Sequence, residues 1–431
     1  MKAVRVGVCC LLAFAVLSFG GVEEWSQAVL EVGASALFLF WAIRQYRLRV
    51  EQVVFPPEFP PLLAFVLLGT SQLWLHLTAS SYSTRTELQL AVVYLVVLFL
   101  VSQVYLRTSH WRGFVWFLMS LGFFVSIVGI LQHLTFNGKL YWVREMRYGG
   151  LPFGPYVNRN HFAGFAEMVI PVALVPLVLG KVRRERLFLV ALFALVPIVA
   201  LLLSASRGGI ISFSVEMAIL FLLLLVRRIR SKYVVVGGVV VLTAMLAVAW
   251  IGAQQVLQRF SGMQNLEVSV GKRAAMTKDT WRLFLDHPLI GTGLGTFEMV
   301  FPPYDSDYDG KVVNHAHNDY LEVLAETGLL GGICCAWFIG VLFLSSLKGL
   351  AELGSSFGSA LNLSGLVACS GILVHSLLDF NLHIPANALL FFVSAHLAVV
   401  RPQPNLPGGG ETRRGSRRIR KQAVGHGLQT V

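Results

Sequence analysis

Twelve apolar runs of 17 to 22 residues, each bounded by charged or polar flanks, recur along this chain, near 6–22, 27–43, 60–79, 88–106, 113–134, 161–180, 187–203, 209–226, 233–251, 327–347, 358–378 and 384–400. A helix needs about 20 such residues to cross the hydrocarbon core of a bilayer. A dozen crossings would take about 240 residues of the chain, which leaves room for loops but not for a separate soluble domain. Composition agrees: 55% of residues are hydrophobic, 13% are charged and mean hydropathy is +0.68, against about a quarter charged in an ordinary soluble domain. A soluble enzyme, a fibre and a disordered chain are excluded. The five cysteines, Cys9, Cys10, Cys334, Cys335 and Cys369, all lie inside apolar runs, where neither a disulfide framework nor a zinc knuckle is built. The first run follows Lys2 and Arg5 as in a signal peptide, yet nothing after Gly20-Gly21 leads into a soluble mature domain. It is read as an uncleaved span.

Cytoplasmic loops of membrane proteins collect Lys and Arg. With the N-terminus inside, the inner segments hold 23 of the 35 basic residues and the outer segments hold 12. The bias supports both ends inside and accounts for most of the net charge of +12, so the basic balance does not argue for nucleic acid. The expectation is an all-α polytopic membrane protein of about twelve transmembrane helices: a membrane domain over 1–400 and a basic tail over 401–431. The tail, rich in Gly, Pro and Arg, is expected to be disordered and to meet anionic lipid. Two outer segments are long, 135–160 and above all 252–326, and loops of that length usually carry function.

The arginines that break the inside bias stand out. Arg147 lies in REMRYGGLPFGPYVNRNHFAG, Arg207 in the short SASRGG turn, and Arg273 in GKRAAMTKDTW at the head of a helical pattern in the long loop. Planar guanidinium groups bind phosphate oxygens in pairs, and three of them could converge on one anion. Each also has a plain reading, as a side chain snorkelling to lipid phosphates or capping a helix.

A second cluster is VVNHAHNDYLEVLAETGLLGG, 312–332. His315 and His317 precede a helix start, and histidine accepts protons near neutral pH, so one of them is a candidate general base. The alternative is a capping arrangement in which Asn318 or Asp319 starts the helix and the histidines fill a loop. His-Ala-His-Asn-Asp begins a metal pattern, but Tyr320 stands where the next histidine is needed, and no metal is assigned. GTGLGTF, 291–297, lacks the third glycine of a dinucleotide loop and reads as a tight turn after Pro288; DSDYDG, 305–310, lacks the glutamate of a calcium loop, Ala316 holding its place. His375, Asp379 and His383 recur every four residues, as if on one face of the eleventh span, and Glu167 and Glu216 sit within the sixth and eighth. Such groups are either functional or buried inter-helix hydrogen bonds.

In order, the chain offers an arginine, glycines and Asn158-x-Asn160, then Ser206-Arg207-Gly208-Gly209, then Arg273 ahead of HPLIGTGLGTF, then HNDYLEVLAETGLLGG. This resembles the O-antigen ligase and polymerase superfamily of bacterial inner membranes, from about Arg147 to Pro385. His317 and Gly328 satisfy the H-x10-G signature of the ligases, whereas His315 counted the same way reaches Glu326. The resemblance implies a bacterial inner-membrane protein with a large, partly helical periplasmic loop over 252–326. The implied activity is inverting, metal-independent transfer of a glycan from undecaprenyl pyrophosphate to an acceptor hydroxyl at the periplasmic face. Lipid A-core or another glycan would be the acceptor, and no cofactor would be needed. It assigns the catalytic base to His317 and the pyrophosphate to Arg207, Arg273 and Arg147, with Arg144 and Arg159 as rivals of Arg147. His315, Asn158, Asn160 and Asp379 are further substrate-binding positions.

A polysaccharide polymerase or a protein O-oligosaccharyltransferase would use the same parts on another acceptor. From a different class, an anion transporter would line a pathway with the same arginines. Against it stand the lack of an internal repeat and of Gly/Pro-broken helices in matching halves. A non-catalytic scaffold for glycan assembly is the third reading.

Overall fold

The structure, a computed structural model, describes residues 1–49, 53–145, 151–227, 232–262, 270–352 and 356–403, with backbone alone at 251–262, 270 and 352. Every regular element among the described residues is a helix. In chain order these are α1 (Lys2–Leu17), α2 (Glu24–Leu48), α3 (Phe59–Trp74), α4 (Ser81–Val104), α5 (Thr108–Leu134), α6 (Arg159–Val178), α7 (Leu187–Ser204), α8 (Arg207–Val226), α9 (Val234–Gly262), α10 (Val270–Asp286), α11 (Phe297–Val300), α12 (Asp319–Glu352), α13 (Phe357–His375) and α14 (Pro385–Val399). Eight helices among the described residues are long and apolar enough to cross a membrane, and α3, α14 and the Val234–Trp250 part of α9 are shorter apolar helices. The protein is therefore an all-α, multi-pass membrane protein.

Helix starts follow from local capping chemistry. Ser80, Asn158, Ser206 and Ser356 accept a hydrogen bond from a backbone N–H of the first turn of α4, α6, α8 and α13, which satisfies a donor the helix cannot. α6 is the central element, buried over nearly its whole length and packed against α13, α7 and α5. Its first residues, Arg159, Asn160 and His161, are buried as well. The middle of the bundle is thus polar at the end where α6, α8 and α12 begin and α13 finishes.

The tenth apolar run marks only the second part of its helix. α12 begins at Asp319, eight residues before the run, and breaks at Gly328 (φ 62°, ψ −164°). The acidic first turns, with Asp319, Glu322 and Glu326, hid this start from a hydropathy reading. Onto the break folds the turn 287–297, in which Gly291, Gly293 and Gly295 all take positive φ. Leu329 N–H donates to Pro288 O (2.8 Å), Gly293 N–H to Glu326 O (2.9 Å), and the Glu326 carboxylate accepts from Gly295 N–H and Phe297 N–H (2.8 and 2.9 Å). Gln72, fully buried on α3, completes the seam: its amide nitrogen donates to Ile290 O and Glu326 O (2.7 and 2.8 Å), and its oxygen accepts from Leu294 N–H (3.1 Å). Gln72→Ala leaves those three backbone groups without this partner, and we expect a stability loss of about 2–4 kcal/mol, read as a lower unfolding midpoint in detergent. An unchanged midpoint would show that the seam does not depend on Gln72.

Of the long segment 252–326, α9 extends to Gly262, and α10, α11 and the turns after it account for most of the rest. Arg147 lies outside the described residues, as does the tail from 404 onward. Where the basic tail begins the chain is docked, since Gln403 N–H donates to Leu106 O (2.9 Å) and Thr108 N–H to Gln403 O (3.0 Å).

Candidate active site

Asp379 is the point where distant segments meet. It lies four residues past the end of α13 and is 1% exposed. His317 Nδ1 donates to its Oδ1 (3.0 Å), Asn160 Nδ2 to its Oδ2 (2.6 Å), and Arg273 Nη2 stands 3.9 Å from Oδ2. Arg273 also donates from Nη1 to Leu378 O (2.9 Å). Burial alone would push the Asp379 carboxyl up, but the His317 hydrogen bond and electrostatic interaction with the neighbouring imidazoles hold it below the ordinary carboxylate range. It is an anion at neutral pH. With Nδ1 committed to a carboxylate, the neutral ring of His317 presents Nε2 as a proton acceptor. The ring is aimed by a backbone in the left-handed region (φ 51°) and by the edge of Phe380, at 5.0 Å between centroids.

His315 occupies a neighbouring position. It stacks on Phe380 (4.2 Å, 22°) and its Nδ1 lies 2.6 Å from Glu322 Oε1. Glu322 Oε2 accepts from Ala316 N–H (2.7 Å). Asp319 accepts from His383 Nδ1 (2.7 Å) and Leu382 N–H (3.1 Å). Asn318 is the cap of α12, its side chain accepting from Tyr320 N–H and Leu321 N–H (both 3.1 Å).

Arg207 is exposed at the first position of α8. A Cβ on the adjacent Gly208 would stand 2.7 Å from His375 Nε2, and one on Gly209 would stand 2.6 Å from the Ala163 side chain. The glycines therefore seat the start of α8 directly on the α6–α13 pair, one turn of chain from Asp379. Asn158 serves as the α6 cap, its oxygen accepting from Asn160 N–H (2.9 Å). Arg144 is ion-paired with Glu23 and lies over the Phe19 ring. Arg159 is buried in the first turn of α6.

The spacing of His375, Asp379 and His383 carries no helical meaning, because α13 stops at His375. Each turns to a different partner: His375 to Glu167 (2.9 Å), Asp379 to His317, and His383 to Asp319. Glu322, Phe380 and His161 went unmarked in the sequence. Only Glu322 left a signal there, as an acid on the turn that follows the histidine pair. Phe380 is an ordinary aromatic until three histidine rings, His161, His315 and His317, are found around it.

Residues 189–336, from α7 through the break in α12, match the family described as O-Antigen ligase. A comparison with curated proteins finds no match. The matched segment contains Arg207, Arg273, His315, His317 and Gly328, and the match supports the O-antigen ligase and polymerase superfamily.

Proposed function

We propose that the protein transfers a glycan from undecaprenyl pyrophosphate to an acceptor hydroxyl, at a site on the periplasmic side of a bundle that crosses the bacterial inner membrane twelve times with both termini in the cytoplasm. The observation that carries this reading is the meeting of His317 and Arg273 on Asp379, from segments 106 residues apart at their extremes. The acceptor O–H gives its proton to His317 Nε2 as its oxygen bonds to the anomeric carbon from the face opposite the leaving group. The bond from that carbon to the pyrophosphate breaks, and its electron pair leaves with the pyrophosphate. Asp379 keeps His317 in the tautomer that accepts the proton and stabilises the imidazolium that forms.

Charge gathers on the departing oxygens, so cations held in place beforehand lower the barrier more than mobile ones would. Arg273 is aimed by Leu378 O and Asp379, and Arg207 opens the neighbouring helix; in this reading both meet the pyrophosphate, with Arg147 as a third cation. The donor stores the energy of the reaction in its pyrophosphate bond, so no nucleotide or other cofactor is required. A ligase, a polymerase and a protein O-oligosaccharyltransferase differ here only in the acceptor, and the H-x10-G pair His317–Gly328 favours the ligase. Lipid A-core or another glycan then supplies the hydroxyl.

Arg273→Ala in reconstituted protein is expected to lower transfer about 10²–10³-fold, with Arg273→Lys recovering part of it because a lysine supplies the charge without the paired donors. Equal rates for wild type and both variants would remove Arg273 from the site.

A further inference from the structure

We propose that His315, Glu322 and His383 form a binding site for one divalent transition metal ion, zinc by its donor set. His315 Nδ1 lies 2.6 Å from Glu322 Oε1, His383 Nε2 lies 3.4 Å from the same oxygen, and the three donor atoms all fall within 4.8 Å of one another. Zinc bonds of about 2.0–2.1 Å at tetrahedral angles place donors about 3.3 Å apart, a separation between the shortest found here and the 4.8 Å that bounds the set. Two imidazoles and a carboxylate suit zinc; calcium and magnesium prefer oxygen donors alone.

The surroundings are those of a ligand set. His383 faces carboxylates with both nitrogens, Asp319 at 2.7 Å from Nδ1 and Glu322 at 3.4 Å from Nε2. A neutral ring donates to only one of them, whereas a protonated ring can donate to both. With zinc bound, the neutral ring donates Nδ1–H to Asp319 and gives its Nε2 lone pair to the metal, the carboxylate–histidine–metal arrangement that orients ligating imidazoles. Glu322 is buried and its second oxygen is held by Ala316 N–H. The His315 ring is fixed by its stack on Phe380. A cavity of about 800 Å³ reaches His383, with Glu87 and Asp319 also in its largely apolar wall.

The ion would join the start of α12 to the loop between α13 and α14, fixing the segment that carries His317 without binding His317, whose Nδ1 is committed to Asp379. Local spacing does not reveal the set, because Tyr320 stands where the next histidine of a metal pattern is needed and the remaining donors come from the next turn and from a loop more than sixty residues on.

The test uses the full chain in lipid nanodiscs, stripped with a chelator, loaded with zinc chloride and desalted, with metal content read by mass spectrometry. About one zinc per chain is expected in the wild type and in His317→Ala, and none in Glu322→Gln or His383→Ala. Asp319→Asn should weaken zinc affinity about ten- to a hundredfold through the loss of its anchoring carboxylate. Should the ligand variants fail to fold, X-ray absorption on the zinc-loaded wild type decides: a shell of two imidazoles and light oxygen donors supports the site. No retained zinc in the wild type, retention in both ligand variants, or a shell with sulfur or with oxygen alone overturns it.

Discussion

His317→Ala is expected to lower the transfer rate about 10²–10⁴-fold while leaving donor binding nearly unchanged. The size follows from what the ring is placed to do. Its Nδ1 is held by a buried carboxylate and its backbone sits in the left-handed region, so the side chain has one orientation and one nitrogen left for substrate. Arg207 and Arg273, two of the arginines proposed to hold the pyrophosphate, come from α8 and α10, elements the substitution does not touch. A loss confined to kcat, with KM for the lipid-linked donor preserved, is the signature of a group that acts only as the bond to the acceptor forms. Asp379→Asn should fall in the same direction, because the amide no longer fixes the tautomer or stabilises the imidazolium. Single-turnover transfer with a labelled donor separates binding from chemistry. A His317→Ala protein as fast as wild type would reject the base assignment.

Gly328→Ala is the second large effect, and it acts on folding. Its φ of 62° with ψ of −164° belongs to a region that only glycine occupies readily. A Cβ there would stand 2.3 Å from the carbonyl carbon of Leu289 and 2.4 Å from its oxygen, and backbone cannot step aside as a side-chain tip can. Strain and overlap together cost about 2–6 kcal/mol, a large share of the 5–15 kcal/mol that holds a typical domain. Gly291 faces the same seam from the other side, with Glu326 backbone 2.2 Å from its would-be Cβ. The expected result is a Gly328→Ala protein with a much lower unfolding midpoint and poor recovery as a monodisperse species. His317→Ala, by contrast, is expected to fold and to transfer slowly. Wild-type unfolding of Gly328→Ala would contradict the packing argument. The glycine of the H-x10-G pair is thus accounted for by the sharp bend that seats 287–297 against α12, and the histidine by its place beside Asp379.

The sequence made the helices legible because crossing a bilayer demands long apolar runs, and those runs survive any detail of packing. What it hid were the polar ends. The start of α12 is amphipathic and acid-rich, so it falls below any hydropathy threshold although Asn318 caps it well. The regular spacing of His375, Asp379 and His383 suggested a helical face, but a helix end at His375 gave the three residues three different partners. Arg207, Arg273 and His317 stand out in the sequence by their chemistry and the motifs around them, while the residue that joins two of them, Asp379, is 62 residues from His317 in the chain. Nothing in local pattern encodes that distance. Glu322 and Phe380 show the same limit: each has meaning only through rings brought to it by other segments.

The most direct measurement of the central claim is product stoichiometry in proteoliposomes holding the wild-type protein, a polyprenyl-pyrophosphate-linked glycan and a hydroxyl-bearing acceptor lipid. The account predicts one free polyprenyl pyrophosphate for each new glycosidic bond, with both products formed far more slowly by His317→Ala. Donor left intact alongside anion flux that persists without His317 would contradict it, and would identify the arginines as the lining of a transport pathway.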